Sequence, residues 1–143
     1  MSALSREALE EGDALSLDFT KLDAVRGVVP VVVQRADTRD VVLLAYTNRE
    51  AMREAFRSRR LVLWSTSRGE LWEKGASSGC RFELLEARVN CEQNSLLYLV
   101  RPLSEAPGSA GMCHTRRASG VPRTGCFYRR VPLDGGRLEN AEP

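Results

Sequence analysis

The apolar positions fall into short runs, most with the alternating or continuous pattern of strands and one with the spacing of a helix. Val28 to Gln34 is β-branched and apolar, opened by Gly27 and interrupted by Pro30, and reads as a strand. Ala36 to Asp40 is a turn, and Val41 to Tyr46 is a second strand, so the pair predicts a hairpin. Over Arg49–Arg59, residues Ala51, Met52, Ala55 and Phe56 share one helical face, with Asn48 in place as N-cap. Further strands are predicted at Leu61–Thr66, Leu71–Lys74, Arg81–Val89, Ser95–Arg101 and Phe127–Val131. The 81–89 and 95–101 strands are joined through a tight Asn90–Asn94 connection. Residues 1–16 predict a short helix or loose arm, docked through Leu17, Phe19 and Leu22. The tail, 132–143, is expected to fray. The pattern predicts one α+β domain over 17–131, strand-rich and mostly antiparallel, with one main helix.

Composition narrows the class. A chain of 143 residues with 43% hydrophobic and 28% charged content is long enough for one well-filled core. A net charge of +2 gives no footprint for nucleic acid. The positive charge is nearly all arginine, with Lys21 and Lys74 the only lysines. Arginine's planar fork grips phosphate at two points, so local arginine clusters matter more than the total. The polar, acidic N-terminus (Glu7, Glu10, Glu11, Asp13) predicts no secretory leader, and no apolar run is long enough for a membrane span. The expectation is a cytoplasmic location, where thiols stay reduced.

That makes the cysteines of interest. Cys91 and Cys113 are separated by 21 residues, and Cys113 and Cys126 by 12. With no C-x-x-C pair, the spacing leaves two readings open: small buried thiols, or three thiolates around a zinc ion whose fourth position is left to water. Two features favour the metal. The segment around Cys113 and Cys126 is rich in Gly, Pro and Arg, and the chain's only histidine, His114, stands beside Cys113. Cys80 stands apart from this set as an unliganded thiol.

Several blocks then occur in a fixed order: Leu44-Ala45-Tyr46-Thr47-Asn48, Trp64-Ser65, Leu71-Trp72-Glu73-Lys74-Gly75 with Ser78-Gly79, Asn90-Cys91-Glu92, Cys113-His114-Thr115 and Cys126-Phe127-Tyr128-Arg129. In these the chain resembles the phosphoribosyl-AMP cyclohydrolase family over about residues 17–130. The resemblance implies an intertwined homodimeric zinc hydrolase of histidine biosynthesis that opens the N1–C6 bond of the adenine ring in phosphoribosyl-AMP. It implies zinc on Cys91 of one chain with Cys113 and Cys126 of the other, and His114 as the catalytic histidine. Arg68, Trp72, Lys74, Ser78, Arg116 and Arg117 become the candidates to hold a phosphorylated small-molecule substrate. The family's three magnesium-binding aspartates correspond to Asn90, Glu92 and Asn94 here, so magnesium is expected to bind weakly or not at all. The glycine usual after Cys-His-Thr is Arg116, and the Cys113–Cys126 loop is longer than the family norm. These departures allow two alternatives: a divergent paralog that hydrolyses or deaminates another nucleotide or heterocycle, or a non-catalytic, zinc-stabilised dimeric binding protein.

Overall fold

The structure, a computed structural model, describes residues 5–17, 19 and 23–143. Its frame is a six-stranded mixed sheet built from β1 (Val29–Arg35), β2 (Val41–Thr47), β3 (Val62–Ser65), β4 (Glu70–Glu73), β5 (Phe82–Val89) and β6 (Leu96–Pro102), in the spatial order β4-β3-β2-β1-β6-β5. The two predicted hairpins form, β1 with β2 and β5 with β6, and both are antiparallel. What joins them is a parallel pairing of β1 with β6, which no local pattern announces. Pro30 fits because it is in register with Tyr46 on β2 alone. The pairing with β6 begins at Val31, so the missing N–H falls before the strand is flanked on both sides.

The N-terminal segment forms a short helix, α1 (Arg6–Glu11), capped by Ser5. The main helix, α2 (Arg49–Ser58), starts where Asn48 accepts the Ala51 N–H at 2.9 Å and ends at Arg59 in the left-handed conformation. Ala51 and Ala55 on its inner face are fully buried, and Phe56 meets Tyr98 with ring centroids 6.3 Å apart. The core lies between this helix and the sheet, with Val31, Val33, Leu61, Leu63, Phe82, Tyr98 and Val100 fully or almost fully buried. In β5 the burial stops half-way. Phe82 and Leu84 are buried, the register slips at Leu85, and the rest of the strand is exposed out to Val89. The far half of the β5–β6 hairpin therefore projects beyond the core.

Both chain ends differ from expectation. Helix α1 is not docked by apolar residues: Leu17 and Phe19 are largely exposed, and Leu22 lies outside the described residues. Polar contacts hold it instead. The tail, expected to fray, folds back: β7 (Arg129–Arg130) pairs with β8 (Glu139–Asn140), and Glu142 accepts hydrogen bonds from Arg117 and Thr124. Among the described residues no helix is long and apolar enough to cross a membrane.

Candidate functional site

The Cys113–Cys126 segment is anchored at both ends. The Cys126 N–H donates to the Val42 carbonyl at 2.8 Å, and the Cys113 N–H to the Arg123 carbonyl at 3.2 Å. Gly125 lies so close to β2 that a Cβ there would be 3.2 Å from the Val42 backbone. Between these anchors residues 115–123 make a tight hairpin of their own. Arg123 N–H donates to the Thr115 carbonyl, Arg117 N–H to the Val121 carbonyl, and Gly120 N–H to the Arg117 carbonyl. The long loop is thus used up in its own turn, and its two ends bring Cys113 and Cys126 together.

The two thiols act on each other's ionisation. Cys113 is pulled down to about 5, first by the hydrogen bond from Cys126 and then, against the opposing effect of burial, by the hydroxyl and N–H of Thr115. The Thr115 hydroxyl is 3.0 Å from the Cys113 sulfur. Cys126 is pushed up, because it is the partner that keeps the proton and because it is buried. Lys74 is buried beside the pair. Burial lowers its ammonium's pKa, while Cys126, Cys113 and Cys80 act in the opposite direction. Lys74 and Cys113 thus line one cleft.

Cys91 is elsewhere. It is exposed in the β5–β6 turn, and among the described residues no three His, Cys, Asp or Glu side chains of one chain gather as a metal site. The donor chemistry of the Cys113–Cys126 pair suits zinc, as two soft sulfurs of a three-thiolate set. The magnesium turn does not suit its metal. Asn90 Nδ2 donates to Asn94 Oδ1 at 2.5 Å, and Asn90 Oδ1 accepts the N–H groups of Asn94 and Ser95 at 2.9 Å each. Glu92 meets Asn94 Nδ2 at 3.4 Å. The amides satisfy one another where a hard cation needs converging carboxylates.

A cleft of about 230 Å³ opens over Cys113 and is lined by Arg68, Trp72, Lys74, Ser78, His114 and Arg116 among others. A second, of about 650 Å³, shares Arg68, Trp72 and His114 with it and runs along Tyr46, Trp64 and Ser65. Candidates far apart in sequence are thereby brought to one place. The Gly75–Gly79 turn makes this possible: Gly75 has φ +90°, and a Cβ there would sit 2.0 Å from the Cys80 carbonyl oxygen. Within the turn, the Ser78 hydroxyl accepts the Cys80 N–H at 3.2 Å. Arg68 is exposed at the rim, 3.4 Å from the Ser65 hydroxyl and 3.5 Å from Glu70. Trp72 lies under the Lys74 ammonium at 5.9 Å.

The three loop arginines part company. Arg116 reaches the first cleft, with Nη1 on the Gly120 carbonyl at 2.8 Å. Arg117 turns outward to Glu142 at 2.7 Å. Arg123 is buried, forked onto Glu11 at 2.8 and 3.0 Å and stacked 4.3 Å from the Tyr128 ring centroid. Arg117 and Arg123 thus act as clamps on the chain ends. Sequence reasoning missed the other halves of those clamps, Glu11 and Glu142, and also Glu10, whose Oε2 is 2.5 Å from His114 Nε2. An acidic pair in an arm so distant along the chain carries no signal of these contacts.

The sequence model of phosphoribosyl-AMP cyclohydrolase matches residues 43–128, which span most of the sheet, Lys74, all three proposed zinc cysteines and His114. The chain belongs to the phosphoribosyl-AMP cyclohydrolase family. A phosphoribosyl-AMP cyclohydrolase of Hyphomonas neptunium is 40% identical over 135 residues, covering 94% of this chain and 89% of that one. One of Halobacterium salinarum is 42% identical over 130 residues, with 89% of each chain covered. A histidine biosynthesis bifunctional protein HisIE of Thermus thermophilus is 42% identical over 118 residues, covering 80% of this chain and 49% of that protein.

Proposed function

We propose that this chain is a phosphoribosyl-AMP cyclohydrolase, a hydrolase of histidine biosynthesis, which adds water across the N1–C6 bond of the substrate's adenine ring. The observation that carries this reading is the convergence of Cys113, His114, Lys74 and Arg116 on one cleft, with Cys126 paired to Cys113, in a chain of this family. In the reaction, water oxygen bonds to C6, the N1–C6 bond breaks, and a proton passes from the water to N1. Cys113 and Cys126, with Cys91 of a second copy, would hold a zinc ion, and the chemistry it would supply when bound is a water of lowered pKa. His114, at the mouth of both clefts, takes the proton from the attacking water and returns it to the departing nitrogen. Three thiolates around a divalent cation leave one excess negative charge, and the buried Lys74 is placed to offset it. Arg116 and Arg68 border the same cleft as His114 and are there to receive phosphate.

The homodimer belongs to the same proposal. Its support is the position of Cys91, exposed on a hairpin end that leaves its own core and so open to the Cys113–Cys126 pair of another copy. Magnesium is left out of the proposed mechanism because the Asn90–Asn94 turn satisfies its own polar groups. Turnover of phosphoribosyl-AMP by the zinc-loaded protein, followed by the absorbance of the ring-opened product, tests the assignment. Zinc-dependent turnover is expected. A zinc-loaded dimer that leaves phosphoribosyl-AMP intact would exclude the histidine-pathway activity and favour the paralog.

A further inference from the structure

Helix α1 buries none of its own residues, and a six-residue helix has no stability of its own in water. It is held by polar contacts, all of which reach the segment that carries the thiol pair or the residues C-terminal to it. Glu11 takes two guanidinium nitrogens of Arg123. Tyr128 donates its hydroxyl to the Glu10 carbonyl at 2.7 Å, and Arg129 donates to the Leu9 and Gly12 carbonyls at 2.8 and 3.1 Å. Beyond the helix, the Asp13 carbonyl accepts the Leu138 N–H at 2.7 Å. Each of these contacts fixes the arm's position. One contact is different in kind: the Glu10 carboxylate, itself only 19% exposed, is laid against Nε2 of His114, whose side chain is 69% exposed. The remaining Glu10 oxygen faces Arg6 at 3.8 Å. No other side-chain hydrogen bond holds the imidazole among the described residues.

We propose that Glu10 is the positioning residue for His114, and that the N-terminal arm is kept on the body in order to deliver it. This rests on the proposed cyclohydrolase reading, in which His114 moves the proton. A carboxylate can only accept, so the neutral imidazole facing it carries its proton on Nε2 and leaves Nδ1 to take one. When Nδ1 accepts the proton of the attacking water, the ring becomes a cation beside the Glu10 carboxylate, which stabilises it without becoming protonated. The same proton then leaves Nδ1 for the departing N1, and the pair returns to its starting state. The cleft thus needs a residue from outside residues 43–128 to fix the ring. The buried Arg123, in the loop longer than the family norm, holds the arm that carries it.

Two measurements on the tag-free, zinc-loaded protein test this. In steady-state kinetics, Glu10→Gln lowers kcat about 10- to 100-fold with KM and Tm little changed, as loss of a partner that orients a working histidine does. Glu7→Gln, an exposed neighbour on the same helix, leaves kcat unchanged. Unchanged kcat in Glu10→Gln overturns the proposal. So does a faster Glu10→Gln enzyme, which would make the contact a block, and so does a rise confined to KM, which would make Glu10 a substrate ligand. The second measurement needs no turnover. His114 is the only histidine, so its ring nitrogens give an unambiguous NMR spectrum. Above the usual imidazole range, the wild type shows one Nε2-protonated, immobile ring, and Glu10→Ala shows mixed tautomers on a mobile ring. Identical spectra overturn the proposal even if phosphoribosyl-AMP proves not to be the substrate. An inactive wild type with the expected spectral change removes the substrate assignment and keeps the pairing.

Discussion

At the scale of single residues, what a side chain can do here depends on whether its charge is already spent. Arg116, Arg117 and Arg123 look equivalent in sequence, three forks in one polar loop. In the fold Arg117 is bound to Glu142 and Arg123 to Glu11, and Arg116 alone of the three borders the cleft over Cys113. Arg116→Ala is therefore expected to weaken binding of a phosphorylated ligand about tenfold, the worth of one charge-assisted contact, while Arg117→Ala changes it little. Calorimetric titration with a nucleoside monophosphate distinguishes the two, and equal losses would show that the loop opens on binding. The same rule applies to the thiols. Cys113 is held as the acidic partner by Cys126 and Thr115, whereas Cys80 is buried with its sulfur on the Gly108 carbonyl at 3.4 Å, outside the pair.

Two elements behave as units. The arm and the tail are clamped onto the 113–126 hairpin by carboxylates that titrate below their ordinary range. Glu11 is lowered chiefly by its hydrogen bonds from Arg123. For Glu142 burial acts upward, and the hydrogen bonds from Thr124 and Arg117 outweigh it. A carboxyl lowered in the folded state adds stability that is complete above its unfolded value and is lost as pH falls through the folded one. Acid should thus release both ends of the chain. Denaturant titrations at stepped pH should show Glu11→Gln and Glu142→Gln less stable at neutral pH and flatter on the acid side, and parallel curves for variants and wild type would contradict this. The β5–β6 turn is the second unit. Its amides close on each other, so removing magnesium while zinc is kept should change turnover by less than about twofold. A collapse of activity would mean that the turn reopens around a cation. Most of these elements were legible in the chain, because apolar runs separated by turn residues marked both hairpins and Asn48 marked the helix start. The parallel β1–β6 pairing and the clamps were not. Each joins residues far apart in sequence, and no local pattern encodes which distant partner a strand edge or a lone glutamate will meet.

For the whole molecule, the site was legible only as a set of types. The motifs named His114, Lys74 and the cysteines, and the fold explains how the Gly75 turn and the short 115–123 hairpin bring most of them to one cleft. Cys91 alone stays out, on a hairpin that leaves the core after Leu84, with Val89 exposed beside it. In the proposed enzyme the working unit is two chains, each giving a thiol pair and lending one thiol, so that metal binding and assembly form one equilibrium. Complementation between inactive variants tests this most directly. Cys91→Ser and Cys113→Ser are each expected to lack zinc and turnover. When the two are unfolded together and refolded as an equal mixture, one site in each mixed dimer regains all three cysteines. Random pairing should then restore about a quarter of wild-type turnover, together with zinc in proportion. A mixture that stays inactive although mixed dimers form, or a Cys91→Ser variant that keeps full zinc and full activity alone, would contradict the shared site.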